Sequence, residues 1–237
     1  MKILVIVRTK NEERYIRPFL ESYLAFCDGA LVADGGSTDR TKEIASEPYF
    51  QSSGVKVRDF EPRILIDAPE VWMNPEGEHI NFLIRWAGEE EADWVVFEDC
   101  DARPNRNLRR AARTIMEITR AVAILTPRVY WYKDKEYMTA LGKVNGEWHP
   151  LLWAWRLDSG IHSEIGTGFA YTFTPDPTTL PHLDLHIPLA RNHHFYDDAE
   201  RVRAKTAAYR AVSKLPHLDP MEFGGPLAPL PDWTRED

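Results

Sequence analysis

Residues 92–105 read ADWVVFEDCDARPN, a hydrophobic run that passes directly into acid. Trp94-Val95-Val96-Phe97 is short, β-branched and aromatic, and lies between polar residues, which predicts a strand buried inside a covered parallel sheet. Glu98, Asp99, Cys100 and Asp101 follow without a break. Open α/β sheets bind ligands outside the carboxyl ends of their strands, so chemistry is expected at this point. Asp99 and Asp101 stand one residue apart and repel each other unless a cation sits beside them. Hard oxygen donors of this kind suit Mg²⁺ or Mn²⁺, with a diphosphate completing the shell. The competing reading of an isolated Asp-x-Asp is a solvated acidic loop, and the flanking chain weighs between the two.

Upstream, residues 3–7 (ILVIV) predict a fully buried strand. Arg8-Thr9-Lys10-Asn11-Glu12-Glu13 then leads into a helical pattern with Tyr15, Ile16, Phe19, Leu20, Tyr23 and Leu24 on one face, capped by Asn11 or Thr9. A second strand over 30–33 ends in Asp34-Gly35-Gly36-Ser37-Thr38-Asp39, with Ser37 or Thr38 placed to cap a helix over 41–46. Two successive strand–loop–helix units predict parallel strands joined by crossovers, the plan of a nucleotide-binding α/β sheet. A further strand is expected over 55–57, a proline-rich loop over 58–78, and a helix from Asn81 to the glutamates at 89–91.

Three segments in order, RTKNEERYI, LVADGGSTDRT and WVVFEDCDARP, resemble the motifs of the large bacterial family of GT-A nucleotide-sugar glycosyltransferases (family 2-like). The resemblance covers roughly the first half of the chain. It implies a GT-A-like (Rossmann-like) α/β/α sandwich with a mainly parallel central sheet. It further implies a nucleotide-sugar binding half over 1–104, an acceptor-side half over 105–215, and a Pro/Gly-rich tail over 216–237. Its donor-site residues here are Arg8, Thr9, Asn11, Glu12, Asp34, Gly35, Arg85, Asp99 and Lys205. Its metal ligands are Asp101, with Asp99 in contact with ribose or metal-bound water, and His193 or His194, the sequence not choosing between the two. Lys205 and Tyr209 follow on a helix expected over 199–215.

Beyond the acidic stretch, residues 107–120 form a basic amphipathic pattern with Leu108, Ala111, Ala112, Ile115 and Ile118 inward. A strand over 122–125 is closed by Pro127. Tyr130, Trp131, Tyr132, Tyr137, Trp148, Trp153 and Trp155 crowd the next span, and suit sugar stacking as well as an ordinary core. Residues 151–156 read as a strand, and residues 172–188 as a loop. Between them, Asp158-Ser159-Gly160-Ile161-His162-Ser163-Glu164 is similar to the acceptor-side Arg-x-x-x-Gly-x-x-His-Glu segment of many family members, except that Ser163 separates the His from the Glu. An inverting transfer needs a group that takes the acceptor proton. Glu164 is the first candidate, with Asp158 and His162 behind it.

The 237 residues carry a net charge of -8, which excludes a protein built to coat nucleic acid. Two cysteines, Cys27 and Cys100, make neither a disulfide framework nor a cysteine zinc site, and point to a reducing, cytoplasmic setting. No integral membrane segment is expected, and peripheral attachment and homo-oligomers stay open. The expected reaction is transfer of a sugar from a nucleotide-diphosphate donor, UDP favoured and GDP second, to a hydroxyl on a polysaccharide, a lipid-linked sugar, a protein or a modified nucleic acid. The alternatives are a sugar-phosphate nucleotidyltransferase, whose Gly-rich first loop RTKNEE lacks, and a non-catalytic sugar-nucleotide-binding protein. A dinucleotide oxidoreductase is disfavoured by the absence of Gly-x-Gly-x-x-Gly after the first strand.

Overall fold

A computed structural model describes residues 1–61, 75–132, 136–138, 143–144, 147–148, 150–164, 172–186, 189–193, 227–229 and 232. The chain divides into two compact units: Met1–Cys100 with Arg109–Leu125 and Leu152–Asp184, and Asp101–Leu108 with Thr126–Leu151 and Leu185–Asp237.

In the first unit β1 (Ile3–Thr9) lies between two parallel neighbours, β2 (Gly29–Asp34) and β4 (Trp94–Phe97), and β3 (Val55–Asp59) extends the sheet in parallel beyond β2. Helix α1 (Glu13–Leu24) joins β1 to β2, the short helices α2 (Thr41–Ala45) and α3 (Pro48–Ser52) join β2 to β3, and α4 (Pro75–Glu89) precedes β4. On the other side of β4 the order continues through β10 (Pro150–Arg156), which is antiparallel, to β6 (Ala123–Tyr132). β13 (His182–Asp184) pairs in parallel with the start of β6. Every residue of β2 and β4 is buried. Such double-sided burial is why these strands read as continuous apolar runs instead of alternating ones.

Trp86, Trp94, Trp153 and Trp155 are among the largest fully buried side chains. Trp153 packs on Phe26 with ring centroids 5.9 Å apart, and Trp155 on Phe173 at 5.4 Å. The two tryptophans are therefore core, and the sugar-stacking option for them is withdrawn. Tyr130, Trp131, Tyr132, Tyr137 and Trp148 have side chains outside the described residues.

Several expectations shift. α1 is capped by neither Asn11 nor Thr9, because Thr9 belongs to β1 and Asn11 adopts φ +57°. α4 starts at Pro75, six residues before Asn81; a proline at the first helical position needs no amide proton there. On α5 (Arg106–Ile118) the buried face is Leu108, Ala112 and Met116, four residues apart, while Ile118 is exposed. Pro127 does not end β6: β13 pairs with Ala123 to Leu125 and β14 (Arg191–His193) with Arg128 to Tyr130. The proline falls between those two registers, where a missing N–H breaks neither ladder. The stretch read as a loop over 172–188 holds β12 (Phe173–Thr174) and β13.

In the second unit β14 pairs antiparallel with β5 (Ala102–Pro104) and parallel with the later part of β6. β7 (Glu136–Met138) returns antiparallel to β6, and β15 (Leu227–Pro229), within the Pro/Gly-rich tail, adds to β7. β8 (Lys143–Val144) and β9 (Glu147–Trp148) pair with each other. Arg191 is buried, and its Nη2 donates to the carbonyls of Thr126 at 3.1 Å and Leu151 at 3.2 Å. Among the described residues no helix is long and apolar enough to cross a membrane.

Candidate functional site

The carboxyl ends of β1 and β2 face each other as two loops whose polar groups satisfy one another. Asp34 is fully buried at the tip of β2. Its Oδ1 accepts from Thr9 Oγ1 at 3.1 Å and Ser37 Oγ at 2.5 Å, and its Oδ2 from the amides of Gly36 at 3.1 Å and Ser37 at 2.8 Å. Four donors occupy the acceptor capacity of one carboxylate. Asn11, in the left-handed conformation that asparagine tolerates, donates its amide to Ser37 Oγ and accepts the Thr38 amide on Oδ1 at 2.8 Å.

α1 is closed from outside its own sequence. The Glu12 amide donates to Thr41 Oγ1 at 2.7 Å and the Glu13 amide to Asp39 Oδ2 at 3.0 Å. Partial burial opposes charge on Asp39, but hydrogen bonds from Thr41 and Glu13 outweigh it and hold its carboxyl below the usual range. Of the predicted donor residues, Thr9, Asn11, Glu12, Asp34 and Gly35 are thus brought together, and their side chains and amides build the loops that would receive a ligand.

α4 brings a group that sequence reasoning missed. His79 is buried, stacks on Phe60 at 4.1 Å with planes 11° apart, and holds Nε2 2.9 Å from the Ala33 carbonyl. A carbonyl only accepts, so Nε2 carries the proton. Burial drives the His79 pKa down to about 4, keeping the ring neutral at physiological pH. A Cβ added at Gly35 would lie 3.7 Å from the His79 ring and 3.4 Å from the Thr9 carbonyl. Arg85, by contrast, is exposed on α4. The available signal was His79 itself, two residues before Asn81, but it stood at the edge of a stretch read as loop.

At the end of β4, Asp99 is half-buried and pairs with Arg8 Nη2 at 3.1 Å, joining the two central strands at their tips. Glu98 and Asp101 are buried. In the second unit the β5–β14 ladder sets His193 opposite Ala102, the neighbour of Asp101. His194, Lys205 and Tyr209 lie outside the described residues. Among the described residues no three His, Cys, Asp or Glu side chains form a metal-binding group. The donor chemistry fits an ion that shares its shell with substrate phosphates, since Asp99 and Asp101 offer hard oxygens without a complete protein cage.

The segment after β10 carries the candidate proton acceptors. Asp158 sits exposed in a 3₁₀ turn, Leu157–Ser159, that ends at Gly160 with φ +77°. β11 (His162–Ser163) pairs antiparallel with β12. His162 Nδ1 lies 2.9 Å from the Gly160 carbonyl and therefore donates, which leaves Nε2 as the basic nitrogen. Glu164 accepts from the hydroxyls of Thr174 and of Thr172, the latter at 3.1 Å. Those two hydrogen bonds, Thr174 first, hold its carboxyl below the usual range.

No protein-family model matches the chain. Two curated relatives, the uncharacterized protein Rv3786c of Mycobacterium tuberculosis and Mb3815c of Mycobacterium bovis, are each 32% identical over 161 residues, 65% of this chain. The aligned part is 37% of their length, so the chain spans little more than a third of the relatives it matches. Among solved structures, Staphylococcus aureus TarS (residues 1–349) superposes with a TM-score of 0.55 at 18% identity, covering 91% of this chain and 67% of that 1–349 chain. Glucosyl-3-phosphoglycerate synthase of Mycobacterium tuberculosis, in complex with Mn²⁺, UDP and glucosyl-3-phosphoglycerate, reaches 0.51 at 20% identity over 95% of this chain and 81% of the synthase. The mannosyltransferase PcManGT of Pyrobaculum calidifontis, in complex with GDP-mannose and Mn²⁺, reaches 0.52 at 16% identity over 91% and 66%. The fold is therefore GT-A, a mixed α/β fold with a mainly parallel central sheet, as the sequence motifs implied.

Proposed function

We propose that this chain is a nucleotide-sugar glycosyltransferase that uses a divalent metal and transfers with inversion, with UDP-sugars as the first donor class and GDP-sugars the second. One observation carries the reading. β1 feeds β2 on one side while β4 lies on its other side, and at that reversal of strand order Arg8 and Asp99 meet 3.1 Å apart. A crevice at such a switch point is where open α/β sheets take nucleotides. The solved structures with this fold that hold UDP or GDP-mannose together with Mn²⁺ support the same donor chemistry.

The stapled loops after β1 and β2 receive the nucleoside, with Asp34 fixing their shape. Arg8 orients Asp99 and sets a positive charge beside the diphosphate. Asp101 and Asp99 would hold the metal, with His193 or His194 as the further candidate ligand, and such a divalent ion would supply neutralisation of charge on the leaving diphosphate. His162 is the group best prepared to take the acceptor proton, because the Gly160 carbonyl sets its tautomer and leaves Nε2 with the free lone pair. Glu164, whose carboxyl the hydroxyls of Thr174 and Thr172 hold below its usual range, is better suited to fixing the segment. The acceptor is a hydroxyl compound from the carbohydrate, lipid-linked, protein or nucleic-acid classes.

A thermal-shift screen of UDP, GDP, CMP, ADP and dTDP, with and without Mn²⁺, tests this. At a hundredfold excess over Kd the bound nucleotide raises stability by about 2.7 kcal/mol. Asp101→Ala is expected to abolish the metal-dependent part and to lower turnover roughly a hundredfold or more. No shift with any nucleotide would overturn the reading and return Glu98 to Asp101 to an acidic loop.

A further inference from the structure

Ser163 lies between the two ionisable groups of β11 and points the other way. His162 and Glu164 are exposed, whereas Ser163 is buried against α4, as alternation along a strand requires. There Asn81 meets it at two points: Asn81 Nδ2 donates to the Ser163 carbonyl at 2.7 Å, and the Ser163 amide donates to Asn81 Oδ1 at 2.8 Å. A side-chain amide thus completes both backbone groups of one residue, eighty-two positions away, as a neighbouring strand would. One turn earlier, Gly77 brings the helix against the same segment so closely that a Cβ there would lie 2.7 Å from the Glu164 carbonyl and 3.2 Å from Ser163 Oγ. On the opposite edge β12 supplies the remaining partner.

Resting on the glycosyltransferase reading, we infer that Asn81 is a positioning residue: its two-point clamp on Ser163 fixes the His162 imidazole for proton removal and leaves donor binding untouched. The amide is suited to this because it presents one donor and one acceptor in a plane, matching the peptide it faces. The neutral ring of His79 lies two residues away on the same helix and on a different face, so α4 turns His79 toward β2 and Gly77 with Asn81, one turn apart, toward β11.

Donor turnover with water as acceptor, followed by release of UDP or GDP from UDP-glucose or GDP-mannose, gives the test. Asn81→Ala and Gly77→Ala are each expected to lower kcat ten- to a hundredfold while donor KM stays within twofold. Gly77→Ala is a favourable helix substitution in its own right, so its loss reports the displaced segment and not a broken helix. Asn81→Asp adds a readout that a merely structural role would not produce. Its carboxylate repels the Ser163 carbonyl, whereas its protonated acid reproduces the amide's donor and acceptor. Its activity relative to wild type should therefore rise as pH is lowered from 8 to 5.5. Amide hydrogen exchange should show the Ser163 N–H protected in wild type and exchanging at least tenfold faster in Asn81→Ala. Wild-type kcat in both alanine variants, or a flat Asn81→Asp ratio, overturns the clamp while the glycosyltransferase reading stands. No nucleotide binding and no turnover in wild type overturns that reading, and the positioning role with it.

Discussion

The paired loops at Thr9–Glu13 and Asp34–Thr41, numbered 9–13 and 34–41, and the segment over 157–164 are both polar, and they are held in opposite ways. The loops are closed on each other: Asp34, Asp39, Asn11 and Ser37 satisfy amides within or directly across from their own loop. The segment is held from outside itself, by Asn81 of α4, eighty-two positions away, and by Thr172 and Thr174 beside it. The difference separates two tasks. On the proposed function, two loops that staple each other make a rigid receptor for a nucleotide, whereas a proton acceptor has to be set in register with chemistry that another part of the chain provides.

The largest break in the comparison comes from behind the segment. Trp155 is fully buried and backs Phe173 of β12, so Trp155→Ala should lower unfolding stability by about 3–5 kcal/mol in a urea titration. An effect below about 1 kcal/mol would mean that the segment does not rest on this core. Next comes the loop side. Asp34→Ala removes four hydrogen bonds to a buried carboxylate and should cost on the order of 3 kcal/mol, with loss of nucleotide-induced stabilisation. If only binding were lost, Asp34 would be a ligand contact and not the organiser of the loops.

Acid should find the same region. His79 has a pKa of about 4 in the folded protein against about 6.5 unfolded, so between those values the unfolded chain binds more protons and stability falls as pH is lowered. The loss approaches roughly 3 kcal/mol by pH 4, and His79→Phe should flatten that part of the profile. A wild-type slope unchanged by the substitution would remove His79 from the account. The smallest effect belongs to the segment's surface. Thr174→Val deletes the first of the two hydroxyls on Glu164, and the Glu164 carboxyl should titrate at higher pH by NMR with the fold unaltered.

Much of the sheet in the first half of the chain was legible from residue order. Strands buried on both faces appear as unbroken apolar runs, and Asp34, Asp99 and Asp101 follow such runs directly, so their place at strand tips could be read. Helix capping could not, because α1 takes its caps from Thr41 and Asp39, which come after the next strand. The resemblance points to Arg85 on α4, which faces solvent, while His79, at the edge of a stretch that reads as loop, faces Ala33. Aromatic composition alone leaves sugar platform and core both open for Trp153 and Trp155, and their burial decides for core.

The amino-acid sequence by itself determined the succession of parallel strands, their carboxyl-edge acids and the GT-A class, because periodicity and strand-end chemistry are local properties of the chain. Only the tertiary structure decided that β10 enters antiparallel beside β4, that Arg8 meets Asp99, that His79 is held neutral, and that Asn81 grips Ser163. Each of those depends on distance across many residues, and on burial, which sets both the direction of a pKa and the worth of a hydrogen bond.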